Sequence, residues 1–469
     1  MTRTQTWTLA VVCAATAMLM LDIAVVNTAL PRIGEDLQTG LAGLQWVVDA
    51  YTLALATVVL SAGALADRLG RRRLFNWGLA IFTVASLGCA VATDITFLHI
   101  ARAVQGIGGA IMFAVSLAIL ANAFPDEKQR VKALAGYGAT IGASFAIGPA
   151  VGGALVSALD WQWIFFINLP IGIACLAVTR AYVAESSDPA APRIDWAGQF
   201  ALAGSLFLLV GALLRGNEDG WGSALILGGL AGAAVLMVAF VVVEMRVKQP
   251  MLPMRFFRNP DFAGAQVAAF AISASFFAVF IYATLYLQQV LGLSPLEAGL
   301  VYLPATMIGF VVSGATAQLG EKVSLRAMIS VGLLLVGIGQ MAMMVAGVNT
   351  AWWVIVPGSI VAMIGTGMFN PSVIAVALRS VPQEQSGLAA GVNDTFRQAG
   401  IAVGVAALGA LVPAAPGLGG NAADYVAGLQ DALLVGGVLA IAGAAAAAML
   451  IRGREKATAP QPKLALEAA

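Results

Sequence analysis

The chain is poor in charge, cysteine and histidine. Only 10% of its 469 residues are charged, and 25 Lys plus Arg nearly cancel 24 Asp plus Glu, for a formal net charge of +1. That balance gives no basic face for a nucleic-acid partner. Three cysteines and one histidine exclude a disulfide framework and a zinc-binding His pair. Cys13, Cys89 and Cys175 fall inside apolar runs without paired spacing and read as small packing residues, so no metal site is expected. There is no G-x-S-x-G stretch and no Lys preceded by Gly, which removes the nucleophile elbow and the phosphate loop. A membrane enzyme is disfavoured on these grounds, and no cofactor is implied.

What is abundant is apolar: 60% of residues are hydrophobic and the mean hydropathy is +0.89, far outside the range of soluble domains. A helix needs roughly 20 apolar residues to cross a bilayer. Runs of that length lie near 7–30, 43–66, 74–92, 97–122, 132–157, 162–182, 196–214, 221–242, 262–290, 295–319, 325–346, 352–378, 386–412 and 430–451, an expectation of fourteen spans in an all-α membrane protein. Lys and Arg collect in cytoplasmic loops. With the amino terminus inside, every one of the 25 falls in a cytoplasmic segment except Arg32 and Arg215 in external loops and Arg102 and Arg397 within spans. Both termini are therefore expected in the cytoplasm, in the cell membrane. The first run is too long for a cleaved signal core and reads as a retained span.

Two polar, Pro-bearing connectors, 184–195 and 244–261, bracket the seventh and eighth spans. The expected organisation is a six-span bundle over 1–182, linkers and two additional spans over 183–261, a second six-span bundle over 262–451 and a cytoplasmic tail over 452–469. A weak echo relates the bundles: GALADRLGRRR from Gly63 resembles GATAQLGEKVS from Gly314, and GIGGAIMFAVSLAILANAFP, ending at Pro125, resembles GTGMFNPSVIAVALRSVP, ending at Pro382. Parallel repeats of this kind place a substrate site between the halves near mid-membrane. GIGG at 106–109 lies within a span and is no dinucleotide motif.

Carboxylates within spans cost several kcal/mol and normally face a bundle interior or a wet cavity. Asp22 lies in AMLMLDIAVVNTALP, Asp49 in WVVDAY and Arg102 in LHIARAVQGIGG, all at similar depth in the outer half of the membrane. Two acids near one base leave a carboxylate unpaired, and burial and a neighbouring Arg push its titration in opposite directions, the outline of a proton-coupling site. A purely structural ion pair is the bland alternative. In GVNDTFRQAG, Asp394 and Arg397 share a helical face three residues apart, either neutralising each other or contacting substrate. His99, one turn before Arg102, reads as a packing residue.

These residues resemble the Major Facilitator Superfamily and, within it, the fourteen-span drug/proton antiporters of the methylenomycin-resistance type, over nearly the whole chain. LDIAVVNTALP (21–31) is similar to the first-span signature, with Asp22 and Asn27 at its marked positions. GALADRLGRRR (63–73) is similar to the superfamily's loop signature, with Gly63, Asp67, Arg68, Gly70, Arg71 and Arg72 in place. RAVQGIGGA (102–110) is similar to a fourth-span motif whose Arg is associated with proton transfer, AIGPAVGGAL (146–155) to the fifth-span antiporter motif, and NDTFRQAGIAVG (393–404) to a thirteenth-span pattern. The resemblance implies a proton-driven exporter of a small organic compound, working by alternating access without a cofactor or an obligatory protein partner. A proton-coupled importer on the same fold and a transport-inactive sensor are the rival readings. Asp22, Asp49 and Arg102 are expected to couple protons; Asn27, Gln105, Asp394 and Arg397 to meet substrate. Gating is expected of the loop signature, where Gly63 would permit close helix approach and Asp67 form a charge cluster remade as the halves rock, and of Gly148, Pro149, Gly152 and Gly153. The second copy of the loop signature has Gln318 where the first has Asp67, so any charge lock is one-sided.

Overall fold

The computed structural model describes residues 1–187, 194–319, 323–382 and 385–452. The tail beyond them, Arg193, Lys322, and the side chain of Gln318 lie outside the described residues. No strand occurs among those described. The long helices are α1 (Arg3–Asp36), α2 (Leu41–Leu69), α3 (Arg71–Ala90), α4 (Ile95–Ala123), α5 (Glu127–Ala158), α6 (Trp163–Tyr182), α7 (Trp196–Asp219), α8 (Ala224–Arg246), α9 (Pro260–Val290), α10 (Pro295–Leu319), α11 (Leu325–Val345), α12 (Trp352–Arg379), α13 (Ser386–Gly409) and α14 (Ala422–Leu450). Thirteen of them are long and apolar enough to span a bilayer among the described residues. The exception is α13, whose mean hydropathy is lowered by Asn393, Asp394, Arg397 and Gln398 although it runs through the protein interior.

Helices α1 to α6 pack with one another, as do α9 to α14. Two seams join these halves: α5 against α10, and α2 against α13, the second also lined by α7. The inserted pair α7 and α8 thus leans on the α2/α13 seam. Arg3 lies at Tyr182, the end of α6, and Arg452 at Asp261, the start of α9; with fourteen helices running alternately in opposite directions, both described ends lie on one face of the bundle, here the near face.

Small residues set the helix spacings. In van der Waals driven membrane packing, glycine lets backbones touch. A Cβ on Gly106 would lie 2.4 Å from the Tyr51 carbonyl of α2, and one on Gly108 would lie 2.6 Å from the Phe82 amide of α3. The GIGG of α4 is therefore a two-sided packing surface. The halves repeat this device: Gly78 meets the Gly108 carbonyl in the first, and Gly332 meets the Gly365 carbonyl in the second. The α5 motif is divided by direction. Gly148 and Gly152 abut Ala24 and Val25 of α1, whereas Gly153 approaches the Pro295 carbonyl of α10, and Gly299 of α10 in turn approaches that of Pro149.

The α5/α10 seam is tight toward the far face, where Leu296 N donates to Ser157 Oγ at 3.0 Å. It extends inward through Thr306, which donates to the Ala146 carbonyl at 2.8 Å, to Gly142 against Phe310. Beyond that point Gly136, Gly138 and Gly314 have open space where a side chain would begin. The halves also meet at the far face through Gln288, donating to the Thr28 carbonyl at 3.0 Å, and Gln45, donating to Tyr282 Oη at 2.7 Å. The halves are in contact at the far face, and among the described residues these α5/α10 contacts extend from Ser157 inward to Gly142. Within α9, Ser273–Phe277 and Tyr286–Val290 are π-helical turns, a form concentrated at functional sites.

One expectation fails. Gly63 has nothing within 4 Å of a Cβ position, so it mediates no close helix approach in this conformation. Thermal unfolding in detergent separates the two kinds of glycine: Gly106→Ala costs about 1–3 kcal/mol because backbone must move. Gly63→Ala stays within about 0.5 kcal/mol of the parent.

Candidate functional site

The first half encloses a charged network with no exposed member. Asp22 on α1 is 1% exposed and Arg102 on α4 is 1% exposed. Arg102 Nη1 donates to Asp22 Oδ2 at 2.6 Å. The other Asp22 oxygen accepts from Gln105 Nε2 at 2.8 Å and Asn168 Nδ2 at 2.9 Å. Gln105 returns its carbonyl to Arg102 Nη1 at 2.6 Å and donates to Ser86 Oγ at 2.8 Å. Arg102 Nε donates to the Val47 carbonyl at 3.0 Å, and its guanidinium lies 4.3 Å from the Tyr51 ring centroid. A buried ion pair repays its desolvation only when its remaining lone pairs and protons are also satisfied. Here α1, α2, α3, α4 and α6 all contribute.

Asp22 and Arg102 therefore meet as their depths imply, but Asp22 is sealed inside the half rather than facing the cleft. Asp49 does not join them. Val47 and Tyr51, the two α2 residues touching Arg102, lie two positions on either side of it. At about 100° per residue Asp49 points to the opposite side of α2. It is 0% exposed, and neither carboxylate oxygen has a hydrogen-bond partner. It lies one turn from Gln45, the residue that reaches Tyr282, and within electrostatic range of Tyr282 itself. The unpaired acid anticipated from the spans is Asp49.

In the second half, Asp394 and Arg397 form no ion pair despite sharing a face: Asp394 Oδ2 and Arg397 Nε are both buried without partners. Asn393 beside them donates to Gln266 of α9 at 3.2 Å. Asp394 faces the first half closely enough to act on Tyr51 and Tyr137 electrostatically. Asn27 is half-buried with an unpartnered Oδ1. Gln105, expected at substrate, has its amide committed to the network. His99 Nε2 bonds the Gly43 carbonyl at 2.8 Å, a link between α4 and α2.

The loop signature closes within the first half. Gly70 adopts φ +106°, a left-handed geometry that favours glycine. Arg71 Nη2 pairs with Asp67 at 2.8 Å. The Glu185 carboxylate accepts from the Arg72 and Arg73 amides at 3.0 and 3.2 Å, at the positive N-terminus of α3, and lies 3.7 Å from Arg72 Nε. Arg68 is exposed. Among the described residues no ion pair carries this cluster to the second half. Sequence reasoning missed Glu185, Ser86, Asn168 and Tyr51; the polar letters in VASLG and FINLP were the only signals for two of them.

Stability should separate the two acids of the outer half. Asp22→Ala strands a buried guanidinium and costs about 3–5 kcal/mol. Asp49→Asn breaks no hydrogen bond and leaves the unfolding temperature unchanged or higher; an equal loss for both would refute the donor-free environment of Asp49.

Residues 12–405 match the Major Facilitator Superfamily. The chain is 34% identical over 423 residues to the methylenomycin A resistance protein of Streptomyces coelicolor, covering 90% of this chain and 89% of that one. It is 32% identical to the tetracenomycin C resistance and export protein of Streptomyces glaucescens, covering 86% of this chain and 75% of that one. A crystal structure of a peptide transporter POT in complex with sulfate superposes with a TM-score of 0.68 at 16% identity, covering 95% of this chain and 96% of that one, a likeness of fold. Two six-helix halves that repeat one glycine crossing, and a sequence match running through both, are accounted for together: the chain belongs to the Major Facilitator Superfamily, whose members are transporters rather than enzymes.

Proposed function

We propose that this chain is a proton-coupled antiporter that exports a small organic compound, a drug or antibiotic, from the cytoplasm by alternating access. The observation that carries the reading is similarity to resistance and export proteins over nearly the full length. It is joined by a buried, donor-free carboxylate at the seam between the halves. The near face is cytoplasmic, as the Lys and Arg distribution supports, and all fourteen helices span the membrane. The structure then has its halves in contact on the external side.

In this mechanism Asp49 carries the proton. A lone carboxylate in a low-dielectric site is held there only when protonated or wetted. Protonation from outside removes its charge and favours the conformation in which the far-face contacts close around Gln45 and Tyr282. Release to the cytoplasm restores the charge and with it affinity for a compound bound between the halves. Coupling requires only that proton and compound prefer different states. The Asp22–Arg102 pair holds the first half as one body, with Gln105 positioning it. Asn27, Asp394 and Arg397 have unsatisfied polar atoms and meet the compound. Gly153, Pro149 and Gly299 let the far-face seam close.

Expression in a host stripped of its own efflux pumps should raise resistance to at least one compound of an antibiotic panel. Inverted vesicles should accumulate that compound when their interior is acidified and lose it on addition of a protonophore. With Asp49→Asn, accumulation should fall to that of vesicles lacking the protein. Accumulation that ignores the pH gradient, or survives Asp49→Asn unchanged, would exclude proton coupling through this residue. A fluorescent reporter fused after Arg452, active only in the cytoplasm, should fluoresce.

A further inference from the structure

The inserted helix pair carries a second acid pair, outside the transport pathway. Asp195 caps α7: its Oδ1 accepts from the Gly198 amide at 2.9 Å, while Oδ2 is buried without a partner. Glu244, in the last turn of α8, accepts from the Leu252 amide through Oε2 at 2.9 Å, while Oε1 is likewise buried and unpartnered. The residues are 7% and 3% exposed. Their two free oxygens border the same glycine. A Cβ on Gly198 would lie 2.7 Å from Glu244 Oε1 and 2.8 Å from Asp195 Oδ2, so the carboxylates flank one point that is vacant only because residue 198 has no side chain.

Two ionised carboxylates cannot face each other in such a place without a donor between them. Among the described residues none serves. Arg246 at the end of α8, Lys248 just after it, and Arg255 and Arg258 in the following turn are exposed and pair with neither acid. On α2, the helix packed against this end of α7, the groups at this level are uncharged: Ser61 and the Thr57 carbonyl both bond Gln199, at 2.5 and 2.9 Å. We propose that Asp195 and Glu244 form a proton-binding site of their own, one proton held between Asp195 Oδ2 and Glu244 Oε1 as a carboxyl–carboxylate hydrogen bond. The reading goes beyond the transport mechanism and does not depend on it.

The site fastens the start of α7, the end of α8 and the connector to the second half. The connector turns on the Leu252 amide, and its Met251 and Leu252 bury against the same apolar cluster as α2 and α13. Gln199, one residue past Gly198, ties the assembly to α2. Loss of the proton sets two charges against each other and loosens the connector. An acid held protonated in the folded state contributes stability at low pH that is lost as pH rises.

The test uses the full-length protein in detergent, unfolded thermally at pH values from about 5 to about 9. Glu244→Gln places an N–H where the shared proton lies and keeps the oxygen that accepts from Leu252; Asp195→Asn does the same from the other side. Each variant should match the parent at acidic pH and exceed it by roughly 2–4 °C at alkaline pH. Infrared spectra in deuterated water should show a protonated-carboxyl band in the parent that either variant removes. Parallel pH profiles, or a parent that loses stability on the acid side instead, would overturn the shared proton in favour of a cation partner. Stabilisation by magnesium or calcium that a chelator reverses and both variants abolish would overturn it in favour of a metal site. Should one variant fail to fold, the other carries the same comparison.

Discussion

The first half is organised around one buried salt bridge. Arg102 and Asp22 stand 1% exposed each, and the attraction between them offsets their desolvation only with the further hydrogen bonds that Asp22 Oδ1, Arg102 Nε and Arg102 Nη1 make. That requirement selects Gln105, Asn168, Ser86, the Val47 carbonyl and the Tyr51 ring, and it fixes the rotation of five helices about a single point. A unit tied this way moves as a body. Among the described residues the second half has no equivalent. In the register that aligns Gly78 with Gly332, Ser86 falls on Gln340; in the register that aligns Gly108 with Gly365, Arg102 falls on Ser359. Gln340 is 0% exposed with both amide atoms unpartnered, and it borders a small cavity with Tyr302 and Ser359. At the positions equivalent to Arg102 and Ser86, the repeated backbone thus carries a hydrogen-bonded ion pair in one half and the uncharged Ser359 and Gln340 in the other.

How the halves meet follows from a different constraint. Lipid offers no hydrophobic drive for helix association, so contact strength depends on how closely backbones approach. Gly153 against Pro295 and Gly299 against Pro149 give the far end of the α5/α10 seam a closeness that larger side chains would prevent. Toward the near face the same helices present Gly136, Gly138 and Gly314 to open space. In the proposed alternating mechanism, small residues on both stretches would let the one seam close at either end.

Much of this was legible in the sequence, and the limits have physical causes. Segment positions and the pairing of Asp22 with Arg102 follow from length, hydropathy and depth, quantities a linear chain carries. The isolation of Asp49 does not, because the rotation of α2 is set by what Val47 and Tyr51 touch on α4, and hydropathy is blind to rotation in a helix buried on most sides. Gly63 and Gly153 look alike as letters; only the neighbouring helix decides which one makes a contact. Asp394 and Arg397 have the spacing of an ion pair, yet their side chains take other directions, and Glu185 reaches the loop signature from more than a hundred positions away.

The placement of Asp49 makes α2 the element through which a change of charge would spread. One side of α2 supplies Val47 and Tyr51 to the Arg102 network; the other carries Gln45 to Tyr282, which itself bonds the Val405 carbonyl of α13. Further along, Thr57 and Ser61 hold Gln199 of the inserted pair, and Leu60 lies against Gly391. α2 therefore touches the rigid core of its own half, the opposing half and the inserted helices at once. A carboxylate bonded to any of these would have its charge spent locally. One that faces the seam with both oxygens free has no local partner to absorb a protonation change, so in the proposed mechanism the energy of that change would fall on the fit between the halves, the contact of α2 that alternating access requires to be remade.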